Sequence, residues 1–511
     1  MEKKKPNLGR YFDLPNPGLR AYFQRTVTGN PDDYRPPFWK GQSREAVLAQ
    51  WQTVIDSLGV KERYPGLYDF EMDMKSKVGP MSIQLPLKDR IESIEAYFDT
   101  PKSSPVSQEA IAHTIRFFSK AGGIRLRSRP NTVSKMRLST NSGSPYFTKR
   151  RRVVDKPQGN YEYCATLGWR GQEGGIHDDD VKQRVIWMMP FDLNVRELQF
   201  YQPAIEAIQK AGLIPAYISM DAVDEQVTKL FDTKGHDDVV ICTDFSKFDQ
   251  HFQKDMQDAA ELVLRGLSTA SADMEDWFRE VYPKKFSVPL VCSEDLEFTG
   301  SHGMGSGSGG TNFDECMAHK ALQFEAALTA GKVLNRYSMA YGDDGILTYP
   351  GIEVDHVIRT YTAHGQEMNK DKQYISTHDC VVLRRYHDVN YRENGIMVGV
   401  YSTFRALGRL LAQERFYDPE VWGPKQVTLR AWSILENCNH SPYFEQFVQF
   451  VMKGDKYRLG LDIPGFMSEV TKIAQESNEL IPDFLGYTKN NMSNQGGITS
   501  WRIYKYLITR K

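Results

Sequence analysis

Cysteine is scarce in this chain: six residues in 511, at positions 164, 242, 292, 316, 380 and 438, with no Cys-x-x-Cys pair. That spacing suggests neither a disulfide framework nor a zinc cluster, and reduced thiols are expected. Long apolar runs are missing too. None approaches the roughly 20 residues that span a bilayer, so no membrane partner is expected. The opening Met1-Glu2-Lys3-Lys4-Lys5 leads into polar residues and does not read as a signal peptide. There is no excess of charge of either sign: 64 Lys+Arg against 65 Asp+Glu give a net charge of -1. A polyanionic partner would therefore have to meet positive charge gathered locally. Repeats and long low-complexity tracts are also absent. What remains is ordinary globular composition, 40% hydrophobic and 25% charged. The length corresponds to roughly three to four domain-sized units.

Local positive charge is present. Arg125, Arg127 and Arg129 form one cluster and Lys149-Arg150-Arg151-Arg152 another. Singly these read as solvated faces; together they supply what a backbone-tracking groove needs. The middle third reads as alternating strands and helices. Val239-Val240-Ile241-Cys242 has the character of a buried strand and runs into Thr243-Asp244-Phe245-Ser246-Lys247-Phe248-Asp249. Phe252, Met256, Ala259, Ala260 and Val263 then recur at helical spacing, which puts Asp244 at a strand end and Asp249 near a helix start. A glycine-rich stretch spans 300–310, ahead of a helical pattern with Phe313, Cys316, Met317, Ala321 and Phe324. Two strand-like runs flank Gly342-Asp343-Asp344-Gly345, the pattern of a hairpin with acidic residues at its tip. Beyond 388 the pattern is mainly helical, with Leu407, Leu410, Leu411 and Phe416, then Phe444, Phe447, Val448, Phe450 and Val451. Residues 486–500 are polar and rich in Gly and Asn.

Adjacent aspartates at a tight turn repel one another. An acidic surface turn is the plain reading of Asp343-Asp344; a bound divalent cation would give the pair a purpose. Carboxylate oxygens suit a hard ion such as Mg2+, which also binds phosphates. If the strands carrying Asp244 and Asp343 pair, the two could bridge two metals about 4 Å apart. The glycine-rich stretch has three readings. It is a flexible linker, a phosphate loop lacking the required lysine at Gly310-Thr311-Asn312, or a mobile loop whose small residues let a polynucleotide backbone or nucleotide sugar come close. His302, Cys316 and His319 lack a fourth zinc ligand at sensible spacing.

In order and spacing these segments resemble the motif set of viral RNA-dependent RNA polymerases. Asp244-x4-Asp249 matches the first palm motif, Ser306-Gly307-x3-Thr311 the second and Gly342-Asp343-Asp344 the third. Lys182-Gln183-Arg184-Val185-Ile186 resembles the fingers motif that lines the nucleotide channel, and Ser142-Gly143-Ser144-Pro145-Tyr146 the loop that meets the incoming template. Asp371-Lys372 resembles the motif with a general-acid lysine, and Val382-Leu383-Arg384-Arg385-Tyr386 the primer-grip hairpin. The resemblance covers about 140–390, and its wording is most similar to polymerases of double-stranded RNA viruses, the picobirnaviruses in particular. One position departs: Glu315 stands where many members place an asparagine that reads the ribose 2′-hydroxyl.

The resemblance implies an α/β (α+β) right-hand polymerase. Its expected division is 1–185 for the N-terminal region and fingers, 186–259 and 298–388 for the palm, 260–297 for a fingers insertion and 389–511 for the thumb. It implies Asp244, Asp343 and Asp344 as ligands of two Mg2+ ions, with Mn2+ as an alternative, and Lys372 as the acid for leaving pyrophosphate. Lys182 and Arg184 would meet the triphosphate; Asp249, Ser306, Gly307, Thr311 and Asn312 the nucleotide; Ser142, Gly143, Pro145, Arg384 and Arg385 the template and primer. The 486–500 loop, Tyr487 and Trp501 are candidates for supporting primer-independent initiation. Expected partners are template and nascent RNA, NTPs and a viral capsid protein, for a monomer in the virion interior and host cytoplasm. A reverse transcriptase is the enzymatic rival, although Asp249 occupies the place of that class's bulky steric gate. An RNA-binding nucleoprotein is the non-enzymatic rival, and it has no need of the two acidic sites.

Overall fold

The computed structural model describes residues 1–477, 480 and 497–510. Helices and sheets are mixed, as expected, and the chain separates into two compact units. The first comprises Met1–Asn30, Leu85–Arg170 and Arg184–Val382; the second comprises Pro31–Gln84, Gly171–Gln183 and Leu383–Lys511. Among the described residues no helix is long and apolar enough to cross a membrane. All six cysteines are free and buried.

The strands of the two larger sheets are β1 (Glu2–Lys4), β2 (Ala165–Gln172), β3 (Lys182–Met188), β4 (Val240–Thr243), β5 (Leu290–Val291), β6 (Glu297–Thr299), β7 (Met339–Tyr341), β8 (Asp344–Leu347) and β9 (Tyr374–Ser376). One sheet has the order β1-β6-β5-β2-β3 and another β7-β8-β4-β9. The four residues of β4 are all buried, because the strand is central and covered; this is why it reads as a continuous apolar run. β8 and β9 flank it antiparallel.

Four helices of the first unit bear on the site: α1 (Gln108–Phe118), α2 (Phe191–Ala211), α3 (Lys254–Leu267) and α4 (Thr311–Thr329). α3 turns Met256, Ala259, Ala260, Val263, Leu264 and Leu267 inward. It begins at Lys254, and Asp249 lies in the turn shortly ahead of it. α4 is buried nearly all round and packs against α1 and α3, which makes it a central post.

The second unit contains helices Arg44–Ser57 and Pro65–Lys77, and beyond residue 388 helices Thr403–Leu411, Pro424–Glu436 and Phe444–Lys453 bear out the helical reading of the C-terminal part. Phe416 departs from it: the helix ends at Leu411 and Phe416 is exposed. Trp51 packs on Phe447 and Phe450 at 4.9 and 5.1 Å between ring centroids, and its indole N–H donates to Thr403 Oγ1 at 2.8 Å.

Candidate active site

The two acidic segments meet through the sheet. Thr243 of β4 pairs with Gly345 of β8, and Tyr341 of β7 pairs with Asp344. Extending the first register by one residue sets Asp244 opposite Asp344, with Asp343 beside it in the two-residue turn. Opposed Cα atoms in such a ladder are about 4.5–5.5 Å apart, so the three carboxylates share one end of the sheet. The hairpin foreseen from the sequence is present, but only Asp343 is at its tip; Asp344 opens β8. On the other flank Cys242 pairs with Tyr374, which brings Lys372 level with Asp244 by the same extension. Gln373 fixes this edge. Its side-chain oxygen accepts the Asp244 N–H at 2.8 Å, and its amide donates to the Asp244 and Asn369 carbonyls, each at 2.8 Å. Asp244, Asp343 and Lys372 are exposed.

The hairpin tip is held from α4. Gly342, at φ 60°, takes a left-handed conformation that favours glycine. Its N–H donates to Cys316 Sγ at 3.4 Å, and its carbonyl accepts from His319 Nδ1 at 2.8 Å. Burial pushes the His319 pKa down to about 4 and the Cys316 thiol up to about 12, so both are neutral clamps. The softer groups near the turn are thus committed to its backbone. What faces outward is oxygen, from three carboxylates, a donor set that fits a hard divalent ion. His302 is stacked on Trp187 at 4.0 Å and hydrogen-bonded to backbone carbonyls of Gly303 and Val288, far from a zinc role.

A second group of residues adjoins the start of α4. Ser306 Oγ donates to the Val185 carbonyl at 2.9 Å, next in sequence to the exposed Arg184. Thr311 Oγ1 donates to the Gly305 carbonyl at 2.9 Å, closing the glycine-rich loop on itself. Asn312 Oδ1 accepts from the Tyr217 hydroxyl at 2.9 Å. Glu315 is 5% exposed, and its pKa is raised well above the carboxyl range, first by burial and then by the charge of Asp249 and a hydrogen bond to it, with a smaller push from Asp343. Its Oε1 has no hydrogen-bond partner among the described residues. The buried Tyr97 phenol is pushed up by burial and then by Asp249 and Glu315, and opposed by Arg184. Tyr97, Arg184, Asp249, Ser306 and Glu315 therefore form one cluster. Tyr97 carried no signal in the sequence beyond being an aromatic among many.

The segment 142–147 is packed inward. Ser142, Gly143 and Pro145 are all buried. The Ser142 N–H donates to the Thr148 carbonyl at 2.7 Å, Gly143 has φ 64° and the Ser144–Pro145 bond is cis. Lys182, Arg384 and Arg385 belong to the second unit. Lys182 is exposed, while Arg384 has φ 60° in a turn with Leu383 at φ 52°. Arg385 is 4% exposed and donates to the Gly399 carbonyl at 3.1 Å, in a strand Arg385–Asp388 that pairs with Val400–Tyr401. Tyr487 and most of 486–500 lie outside the described residues. Trp501 is buried at 4% exposure, ahead of helix Arg502–Ile508, whose first N–H groups donate to Glu436 at 3.0 Å. Trp501 is therefore a packing residue and not a free stacking platform.

Three carboxylates thus stand at a strand-pair edge beside a polar cluster, and comparisons with known proteins identify the chain's family. The sequence profile for viral RNA-dependent RNA polymerase matches residues 176–445. A potential RNA-dependent RNA polymerase of human picobirnavirus (strain Human/Thailand/Hy005102/-) is 49% identical over 533 residues, covering 99% of both chains. The crystal structure of the RNA-dependent RNA polymerase of a human picobirnavirus superposes with a TM-score of 0.93 at 48% identity, again over 99% of each chain. The insertion-loop deletion mutant of that enzyme gives 0.92 at 47%, with the same coverage. The chain is a right-hand nucleotidyltransferase and belongs to the viral RNA-dependent RNA polymerase family.

Proposed function

We propose that this polymerase extends RNA on an RNA template at the sheet edge formed by Asp244, Asp343 and Asp344. One observation carries the reading: β4 and β8 pair in a register that sets Asp244 opposite Asp344. In the reaction a primer 3′-hydroxyl attacks the α-phosphate of an NTP and pyrophosphate leaves. The three aspartates would hold two Mg2+ ions, with Mn2+ as the alternative, and the ions would lower the charge on the reacting oxygens. Everything else falls to the chain itself. Arg184 makes bidentate phosphate contacts and Lys182 supplies a point charge to the triphosphate. Lys372, level with Asp244, delivers a proton to the departing pyrophosphate. Asp249, with Ser306, Gly307, Thr311 and Asn312, receives the nucleotide sugar and selects for its 2′-hydroxyl. Positioning supplies most of the rate.

Template and primer run past Ser142, Gly143, Pro145, Arg384 and Arg385. Because the first three are buried, they act by shaping the 142–147 loop, whose neighbours meet RNA. The working parts are fingers in 1–185 and 260–297, palm in 186–259 and 298–388, and thumb in 389–511. Initiation is primer-independent, the genome copied is a segmented double-stranded RNA, and the enzyme is a monomer that works within a capsid-protein shell in the virion interior and host cytoplasm. Purified protein given a template and NTPs, with and without primer, tests all of this at its root. Template-dependent incorporation without primer is expected; none under either condition would leave a nucleoprotein as the better reading. Preference for dNTPs over NTPs would instead favour the reverse transcriptase.

A further inference from the structure

The loop 305–310, Gly-Ser-Gly-Ser-Gly-Gly, has the composition of a free tether. Its glycines instead let the protein's own walls close in. A Cβ on Gly307 would overlap the Trp187 carbonyl of β3, and one on Gly310 would overlap the Tyr201 ring of α2. On Gly305 it would come within 2.6 Å of Met189 Cε, and on Gly309 within 2.8 Å of Leu198 Cδ2. The loop is thus seated flush on β3 and α2.

One ionisable side chain organises it. Glu197, on α2, is 0% exposed. Its Oε2 accepts the Gly309 N–H at 2.8 Å and the Ser308 hydroxyl, while Ser308 Oγ in turn accepts the Gly310 N–H at 3.2 Å. A single carboxylate oxygen therefore orders three consecutive residues. Glu197 Oε1 has no hydrogen-bond partner among the described residues. Burial pushes its pKa up to about 6, against the pull of Lys285 and the bonds from Ser308 and Gly309. Beneath it Lys285 and Asp314, both fully buried, form an ion pair, and Lys285 also donates to the Tyr201 hydroxyl at 2.6 Å. A buried carboxyl with one oxygen unmet is costly, and a loop that needed only an acceptor could have been given a smaller neutral one. The same loop carries Ser306 to the Val185 carbonyl beside Arg184.

We propose that Glu197 is a positioning residue for nucleotide binding: by holding Ser308 and Gly309 it sets the conformation of 305–310 and so the placement of Ser306 and Gly307 at the nucleotide sugar. This rests on the proposed function for the loop's role, and on the contacts alone for the latch. The test uses the full chain as wild type, E197Q, E197A and S308A. Glutamine can place its oxygen at the Oε2 position and its amide where Oε1 has no partner. E197Q is therefore expected to keep KM for NTP within about twofold of wild type, whereas E197A and S308A raise it about tenfold with kcat changed less. Hydrogen exchange of the 301–312 peptide is expected to quicken in E197A and S308A and not in E197Q. Unchanged KM and unchanged exchange in both alanine variants would overturn the proposal, as would a fall in kcat and thermal stability at constant KM. If E197A does not fold, S308A reads the same latch from the loop side. A wild-type protein without templated incorporation would sink the functional reading alone, since the exchange measurement still decides the latch.

Discussion

The two compact units use buried polarity for different ends. In the first, buried polar side chains grip turns. His319 and Cys316 hold Gly342, Glu197 holds Ser308 and Gly309, and Lys320 Nζ donates to the Ser338 carbonyl at 2.7 Å just before the acidic hairpin. In the second they grip helices. The fully buried Glu71 accepts the Thr403 N–H at 2.7 Å, at the first turn of Thr403–Leu411. Glu173 binds Arg405 at 2.9 Å and Arg409 at 3.0 Å on that same helix, and Arg430 donates to the Ala412 carbonyl at 2.9 Å, just past its end. Helix ends and tight turns both leave backbone groups unpaired. The turn that presents the carboxylates has no side chains to spare for its own backbone, so α4 supplies them, and α2 does the same for the glycine-rich loop.

The sharpest break between the units is catalytic. D343A is expected to cut templated incorporation by about a thousandfold or more while RNA binding and thermal unfolding stay near wild type. E71Q, which neutralises a buried carboxyl of the second unit, is expected to leave incorporation nearly intact. Retained incorporation in D343A would erase the distinction.

The next effect is on stability, with opposite signs in the two units. Burial drives Lys320 down to about 7 from 10.5, so the unfolded chain binds more protons between those values and the first unit gains stability as pH rises through that window. Burial drives Glu71 up to about 7 from 4.5. Its contribution is complete below the unfolded value and is lost as pH rises through about 7, which weakens the second unit. Each effect is on the order of 3–5 kcal/mol at its limit. Calorimetry from pH 5 to 10 on K320M and E71Q should flatten one slope each; slopes of the same sign in the two variants' difference curves would contradict the assignment. Smaller still, R384A should lower RNA affinity about two- to fivefold and make its salt dependence shallower by about one phosphate contact. A wild-type affinity flat in salt would count against a charged template path. Smallest, K254A removes an exposed pair with Asp258 at 2.9 Å and should cost about 0.5 kcal/mol or less.

Much of this site was legible in the linear sequence because its signals are local. A run of β-branched residues ending in Asp244 and a Gly-Asp-Asp between two short strands each announce an element, and the family resemblance supplied their pairing. The glycine-rich loop was legible only in part. Glycine reports that something comes close and does not say what; within the protein it is Trp187, Leu198 and Tyr201. Ser142 and Pro145 carried a motif whose side chains turn inward, which a motif does not reveal. Glu197 lies more than a hundred residues before the loop it orders. Its one signal is an acid in the inward stripe of Leu193, Phe200, Tyr201, Ala204 and Ile208 on α2. Phe252 fits the helical period that puts Asp249 near a helix start, yet it is buried from the turn that precedes the helix.

The seating of residues 305–310 also bears on how this chain can drift. Any single-base change in a glycine codon that alters the amino acid installs Ala, Val, Ser, Cys, Arg, Trp, Asp or Glu, and each brings the carbon that Trp187 and Tyr201 leave no space for. Positions 307 and 310 are therefore closed to one-step substitution unless the backbone or the Tyr201 ring moves.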